Sequence, residues 1–209
     1  MTIPGAETEA TQVRTLPRVY LVRHGETVWS LSGQHTGRRD LPLTGHGEAN
    51  ARRLANRLAG IHFKQVLTSP LARAMRTCEL AGCGASAIVD PDLIEWDYGT
   101  YEGKTRAQIR SERPGWEIFR DGCPQGELLA QVAARADRVL ARVRAIGSDV
   151  LIFSSGHLLR VLAARWLGLD ASLGRYLLLD TTAVSELAYQ RDLSEPAIRL
   201  WNDQRHLAA

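Results

Sequence analysis

Arg23, His24 and Gly25 directly follow the apolar run Val19-Tyr-Leu-Val22. A short buried strand that hands a histidine to a glycine-containing turn presents it at a sheet edge, where open α/β sheets place their ligands. An imidazole beside a guanidinium suits attack on a phosphate ester. Arginine holds the oxyanion, glycine lets the backbone approach it, and histidine is the nucleophile. The bland alternative is a strand end that carries surface charges, so the tripeptide needs partners elsewhere in the chain.

Three other positions offer such partners. Ser69-Pro-Leu-Ala-Arg73 puts a second arginine in the first turn of a helix, where free N–H groups and the helix dipole favour an anion. Glu95 lies in the aromatic and acidic stretch Asp92-Leu-Ile-Glu-Trp-Asp-Tyr-Gly99, after two apolar residues and before Trp96, surroundings that suit a general acid. Asp97 and Glu102 are its rivals on composition. Gly156-His157 sets a second histidine at a strand-to-helix turn, the same local setting as His24.

Hydrophobic periodicity supplies the elements that must carry these residues. Strands are expected at 18–22, 65–69, 87–90 and 150–155, with a final edge hairpin formed by 184–189 and 197–201. Thr44 is the expected N-cap of a helix whose apolar side is Ala51, Leu54, Ala55 and Leu58 and which Gly60 ends. Further helices are expected at 71–81 with Pro70 in the first turn, at 105–111, from Pro114 towards Arg120, through the core positions Leu129 to Val143, and at 158–167. The stretch from Thr27 to Thr44 reads as a binding loop.

Strands alternating with helices predict a three-layer α/β/α sandwich with a mostly parallel central sheet. The site then lies at the carboxyl ends of the strands, just where His24, Arg73 and His157 fall. Residues 1–16 are polar and aperiodic and are expected to form a disordered tail. Residues 17–209 are expected to form a single domain.

The composition narrows the function. The 209 residues carry a net charge of only +3, with 24 arginines and two lysines, Lys64 and Lys104, scattered among the acids. That pattern excludes a nucleic-acid groove, which needs clustered basic charge. No apolar run approaches the ~18 residues of a membrane span, so no membrane partner is expected. Cys78, Cys83 and Cys123 fit neither a zinc site nor a redox pair and read as free thiols of a reducing cytoplasm.

Five stretches taken together resemble the histidine phosphatase superfamily, the phosphoglycerate mutase-like enzymes, over residues 18–203. They are Leu-Val-Arg-His-Gly-Glu-Thr at 21–27, Thr-Gly with Asp-Leu-Pro-Leu-Thr at 36–44, Thr-Ser-Pro-Leu-Ala-Arg-Ala at 68–74, Glu-Trp-Asp-Tyr-Gly with Tyr-Glu-Gly at 95–103, and Ser-Gly-His at 155–157. The resemblance implies that His24 becomes phosphorylated and that Glu95 protonates the leaving oxygen and then activates water. Arg23, Arg73 and His157 would bind the phosphoryl oxygens, so no metal and no cofactor is expected.

Ser30, Thr36, Gly37, Tyr98 and Leu158 are the expected substrate-binding positions. Ser30 stands where many relatives have asparagine, and Leu158 where glycine is frequent. Trp116, His35 and Arg120 are additional candidates, the first as an apolar wall and the others for a second phosphate.

Within the family the stretches at 33–37, 95–103 and 116–127 look like the branch of sugar bisphosphatases and broad acid phosphatases. The expected activity is hydrolysis of small phosphomonoesters, with a mildly acidic optimum. Phosphoglycerate mutase is the enzymatic alternative, and a non-catalytic phosphate-binding module is the other. A homodimer through the edge hairpin is open to this sequence.

Overall fold

Alternation along the strands builds the layers. In β1 (Val19–Arg23), Val19 and Leu21 join one buried cluster while Tyr20 and Val22 join another. In β4 (Val150–Ser154), Val150 and Ile152 likewise separate from Leu151 and Phe153. Both strands are therefore apolar on both faces, as a sheet covered by helices on each side requires. Fully burying one such side chain contributes about 2 kcal/mol.

The computed structural model describes residues 16–208. The tail expected over 1–16 lies outside them apart from Leu16. The sheet also contains β2 (Gln65–Thr68), β3 (Ala87–Val89), β5 (Val184–Tyr189) and β6 (Pro196–Asp203), in the order β3-β2-β4-β1-β5-β6. The first four strands in that order pair in parallel, and β5 and β6 add an antiparallel hairpin at one edge. The architecture is the expected α/β sandwich with a mostly parallel sheet.

Seven α-helices, with five short 3₁₀ turns between elements or at the chain's end, lie among the described residues. α1 (Val28–Ser32) occupies part of the expected loop. It is held by a capping box in which Ser30 N–H donates to Thr27 Oγ1 at 3.1 Å and Thr27 N–H donates to Ser30 Oγ at 2.8 Å. With Val28 and Leu31 exposed, it has no core-facing stripe for periodicity to detect.

α2 (Gly45–Leu58) starts at the expected cap, where Gly47 N–H donates to Thr44 Oγ1. It buries Ala51, Leu54 and Leu58, whereas Ala55 is exposed. α3 (Ala72–Leu80) begins two residues after Pro70, which therefore precedes the helix. Its first free N–H, that of Ala72, goes instead to the Asp40 carboxylate at 2.9 Å.

α4 (Arg106–Glu112) follows a Thr105–Gln108 capping box, and α5 (Ile118–Asp121) starts four residues beyond Pro114, capped by Glu117. α6 (Leu129–Ile146) and α7 (Gly156–Trp166) bury their apolar faces on the Val19–Leu21 side of the sheet, and α2 and α3 cover the Tyr20–Val22 side. No helix among the described residues is long and apolar enough to cross a membrane.

Candidate active site

β1 ends in Arg23, and the next residue, His24, is 3% exposed. Its main-chain N–H donates to Ser154 of β4 at 2.9 Å, so the parallel pairing that builds the sheet also fixes the turn. The ring Nδ1 lies 2.7 Å from the Gly25 carbonyl. A carbonyl only accepts, so Nδ1 carries the proton and Nε2 keeps a free lone pair. Burial, reinforced by the charges of Arg73 and Arg23, holds the imidazole well below its ordinary pKa. The ring is neutral, its tautomer is already selected, and its Nε2 lone pair is free to act as a nucleophile.

The two arginines are anchored by carbonyls rather than by carboxylates. Arg23 Nη1 donates to Leu179 O at 2.6 Å. Arg73, fully buried, donates to the carbonyls of Thr36, Gly37 and Arg39 at 3.0, 2.7 and 2.9 Å. The Nε atoms of both guanidinium groups are buried and have no partner in the chain. Two desolvated cationic donors beside a neutral imidazole form a receptor for an anion with several oxygens. Ser155 Oγ, also buried, is a further unpartnered polar group at the foot of α7.

Glu95 joins the site through the N-terminus of α7. One of its oxygens accepts the N–H groups of Trp96 and Leu158, both at 2.9 Å, and the other accepts that of His157 at 3.0 Å. The helix's own N-cap residue, Ser155, makes no side-chain bond, so the Glu95 carboxylate caps the helix in its place. The second histidine and the acid are thereby held together. On the far side of the ring, the Tyr98 hydroxyl is 2.6 Å from His157 Nδ1. Burial keeps Tyr98 neutral by raising it well above its ordinary pKa, and burial together with Arg160 and His35 lowers His157 well below its own. With Tyr98 O–H as the donor, His157 Nδ1 accepts and Nε2 carries the proton of the neutral ring.

These groups meet around a cavity of about 180 Å³ lined by Arg23, His24, Glu95, Tyr98, His157 and Arg160, among others. Ser30 and Thr36 also line it, although the Ser30 hydroxyl is shared with the cap of α1. Gly37 and Leu158 do not line it. The Gly37 N–H donates to Glu102 at 2.8 Å, and the Leu158 side chain is buried in the core while its N–H serves Glu95. A Cβ on Gly37 would approach Trp96 O and Glu102 Oε2 at 2.6 Å, so this glycine permits the contact between two site loops. Arg73 is not among the lining residues; its Nη groups tie down the 36–39 loop, and its charge reaches His24.

His35 lines both this cavity and an adjoining one of about 360 Å³, where the buried Trp116 forms a wall. Arg120 reaches neither, since it is exposed and pairs with Asp121 and the Gly115 carbonyl. Of the rival carboxylates, Asp97 pairs with Arg38 at 2.9 Å and Glu102 holds Gly37.

Two residues escaped sequence reasoning. Arg160 follows His157 by one turn of α7 and lies between the two cavities, its guanidinium held by the carbonyls of Gly174 and Arg175. Arg135 sits on the buried face of α6, where it pairs with Glu127 at 2.8 Å and donates to the carbonyls of Asp92 and Ile94, fixing the segment that presents Glu95. A charged residue within the buried stripe Val132, Ala136, Val139 was the available signal.

The chain is 38% identical over 186 residues to an acid phosphatase of Mycobacterium tuberculosis, covering 87% of this chain and 91% of that one. It is also 38% identical to a sedoheptulose 1,7-bisphosphatase of Saccharomyces cerevisiae, covering 73% and 68%, and other relatives carry phosphoglycerate mutase names. A solved structure from Mycobacterium tuberculosis superposes with a TM-score of 0.84 at 35% identity, covering 89% of this chain and 97% of that one. With the family model matching residues 19–204, the chain belongs to the histidine phosphatase superfamily, branch 1.

Proposed function

We propose that His24 is the phosphoryl acceptor, Glu95 the proton donor and base, and Arg23, Arg73 and His157 the groups that balance phosphoryl charge. Hydrolysis of phosphomonoesters through a phosphohistidine is the chemistry of the family to which the chain belongs. The observation that carries the assignment is the His24 ring, neutral and held at Nδ1 by Gly25 O, beside two unpartnered guanidinium Nε–H groups.

In the first step the Nε2 lone pair attacks phosphorus, the P–O ester bond breaks, and the leaving oxygen takes a proton from Glu95. The phosphorylated ring is cationic, because Nδ1 keeps its proton, and the Gly25 carbonyl stabilises that charge. In the second step Glu95 takes a proton from water, the oxygen attacks phosphorus, and the P–N bond breaks to return neutral His24. The guanidinium groups and His157 Nε2–H act on the phosphoryl oxygens throughout.

The leaving group would extend into the adjoining cavity past Arg160, a space suited to a small phosphorylated metabolite such as a sugar phosphate. Water, rather than a second substrate, is the proposed acceptor. Between Glu95 and His157 the chain forms a short 3₁₀ turn, α4, α5, α6 and the core strand β4, and the rim residues Tyr176 and Leu178 are 67% and 72% exposed rather than folded over the site. Incubation with 3-phosphoglycerate tests this choice: free phosphate supports hydrolysis, and accumulation of 2-phosphoglycerate rejects it. Ranking phosphorylated metabolites by kcat/KM would identify the substrate. The three free thiols favour a cytoplasmic setting, and the β5–β6 edge is the surface on which a homodimer would form.

A further inference from the structure

We propose that Thr77 is a positioning residue for the nucleophile, acting on His24 through Gly25; the proposal rests on His24 being the phosphoryl acceptor. α3 delivers Arg73 and, one turn later, Thr77, whose side chain is fully buried. Its hydroxyl donates to the Arg73 carbonyl at 2.7 Å and accepts the Gly25 N–H at 2.9 Å. A threonine inside a helix commonly bonds back to the carbonyl four residues earlier and does nothing more. The second bond sets Thr77 apart, since it crosses to a buried N–H of the catalytic turn.

The direction of each bond is forced. The hydroxyl has one proton, which the helical carbonyl takes, so a lone pair is left for Gly25 N–H. The Gly25 carbonyl in turn accepts His24 Nδ1–H at 2.7 Å. On the opposite side Gly25 is pressed against the first turn of α2, where an added Cβ would lie 2.8 Å from the Gly47 carbonyl. Gly25 is therefore clamped between two helices, and its carbonyl orientation sets both the tautomer and the ring angle of His24. Arg73 and Thr77 tie one helix to both the anion receptor and the nucleophile.

Without the hydroxyl, the Gly25 N–H is left buried and unpaired, and the residue gains freedom to turn its carbonyl away from the ring. Thr77→Val keeps the side-chain shape and removes the hydroxyl, and with it the acceptor for Gly25 N–H and the back-bond to the Arg73 carbonyl. The rate of phosphoenzyme formation in a single turnover of para-nitrophenyl phosphate is expected to fall about tenfold or more, as small misplacements of reacting groups do. The inhibition constant of inorganic phosphate is expected to stay within about twofold, because the anion receptor is untouched. Thr77→Ser restores the hydroxyl and at least half of the rate.

Thr77→Ala carries the same expectation as Thr77→Val and replaces it should the valine variant fail to fold. Full speed in the variant lacking the hydroxyl would overturn the proposal. So would a serine variant as slow as the valine one, since the methyl group would then be what matters, or a phosphate affinity lost in proportion to rate. His24→Ala is measured alongside. If it still turns over, the nucleophile assignment itself fails; if it is inactive while Thr77→Val is unimpaired, only the role of Thr77 fails.

Discussion

The backbone N–H of His157 donates to the Glu95 carboxylate at 3.0 Å, so the second histidine and the acid share one helix terminus. Glu95→Gln would put an amide NH₂ against N–H donors, because both carboxylate oxygens are accepting. The variant is expected to lose about 1–3 kcal/mol of stability. It is also expected to lose about 10²–10⁴ in kcat/KM for alkyl phosphates. The loss in kcat/KM for para-nitrophenyl phosphate should be markedly smaller, since nitrophenolate leaves without a proton. Equal losses on both substrates would remove Glu95 from the role of acid.

In the proposed mechanism Tyr98 acts through His157, whose Nδ1 lies 2.6 Å from the Tyr98 hydroxyl. Tyr98→Phe deletes the donor to Nδ1 and frees the ring to exchange tautomers, with an expected loss of about tenfold in kcat/KM, the worth of roughly one hydrogen bond. Nitrogen-15 NMR of the His157 ring should show protonated Nε2 in the parent protein and a mixture in the variant. A ring with protonated Nδ1 in the parent would reverse the donor assignment.

Arg135 stabilises the acid-bearing segment from beneath. Arg135→Met leaves the half-buried Glu127 without its cation and should lower stability by about 2 kcal/mol, whereas adding Glu127→Gln should recover part of that loss. Urea unfolding of the two single variants and the double variant provides the comparison. Simple additivity would show that the pair is not coupled.

Acid should weaken the fold through its histidines. Burial lowers His24, His35 and His157 below the ordinary 6.5. The unfolded chain therefore binds protons that the folded chain refuses. Stability is full above pH 6.5 and falls as pH drops below it, by at most about 1.4 kcal/mol per pH unit for each histidine. Denaturant midpoints from about pH 7.5 down to 5 should decline accordingly. The same shifts keep His24 nucleophilic in mild acid, so kcat/KM should not fall off near pH 6.5 as an ordinary imidazole would dictate. A rate that rises steadily to about pH 9 would contradict an acid step.

Strand positions and the sheet's mixed pairing were legible because β1 and β4 are short apolar runs that end in polar turns. Arg23, His24 and His157 could be picked out for the same reason, since they stand where β1 ends and α7 begins. Residues whose role is to bond backbone left no pattern. The Gly37 amide and Leu158 were expected at the substrate, yet one N–H holds Glu102 and the other holds Glu95. α1 escaped notice because its stability is local to a capping box, and Arg160 because nothing in sequence indicates which side of α7 faces a cavity assembled from distant loops.

The central claim is that the phosphoryl group passes through His24. Rapid quenching with a ³²P-labelled phosphomonoester measures it directly. The expected result is protein-bound label that survives alkali, is released by acid, and is absent from His24→Ala. Label that persists in His24→Ala, or turnover with no labelled intermediate, would contradict the claim.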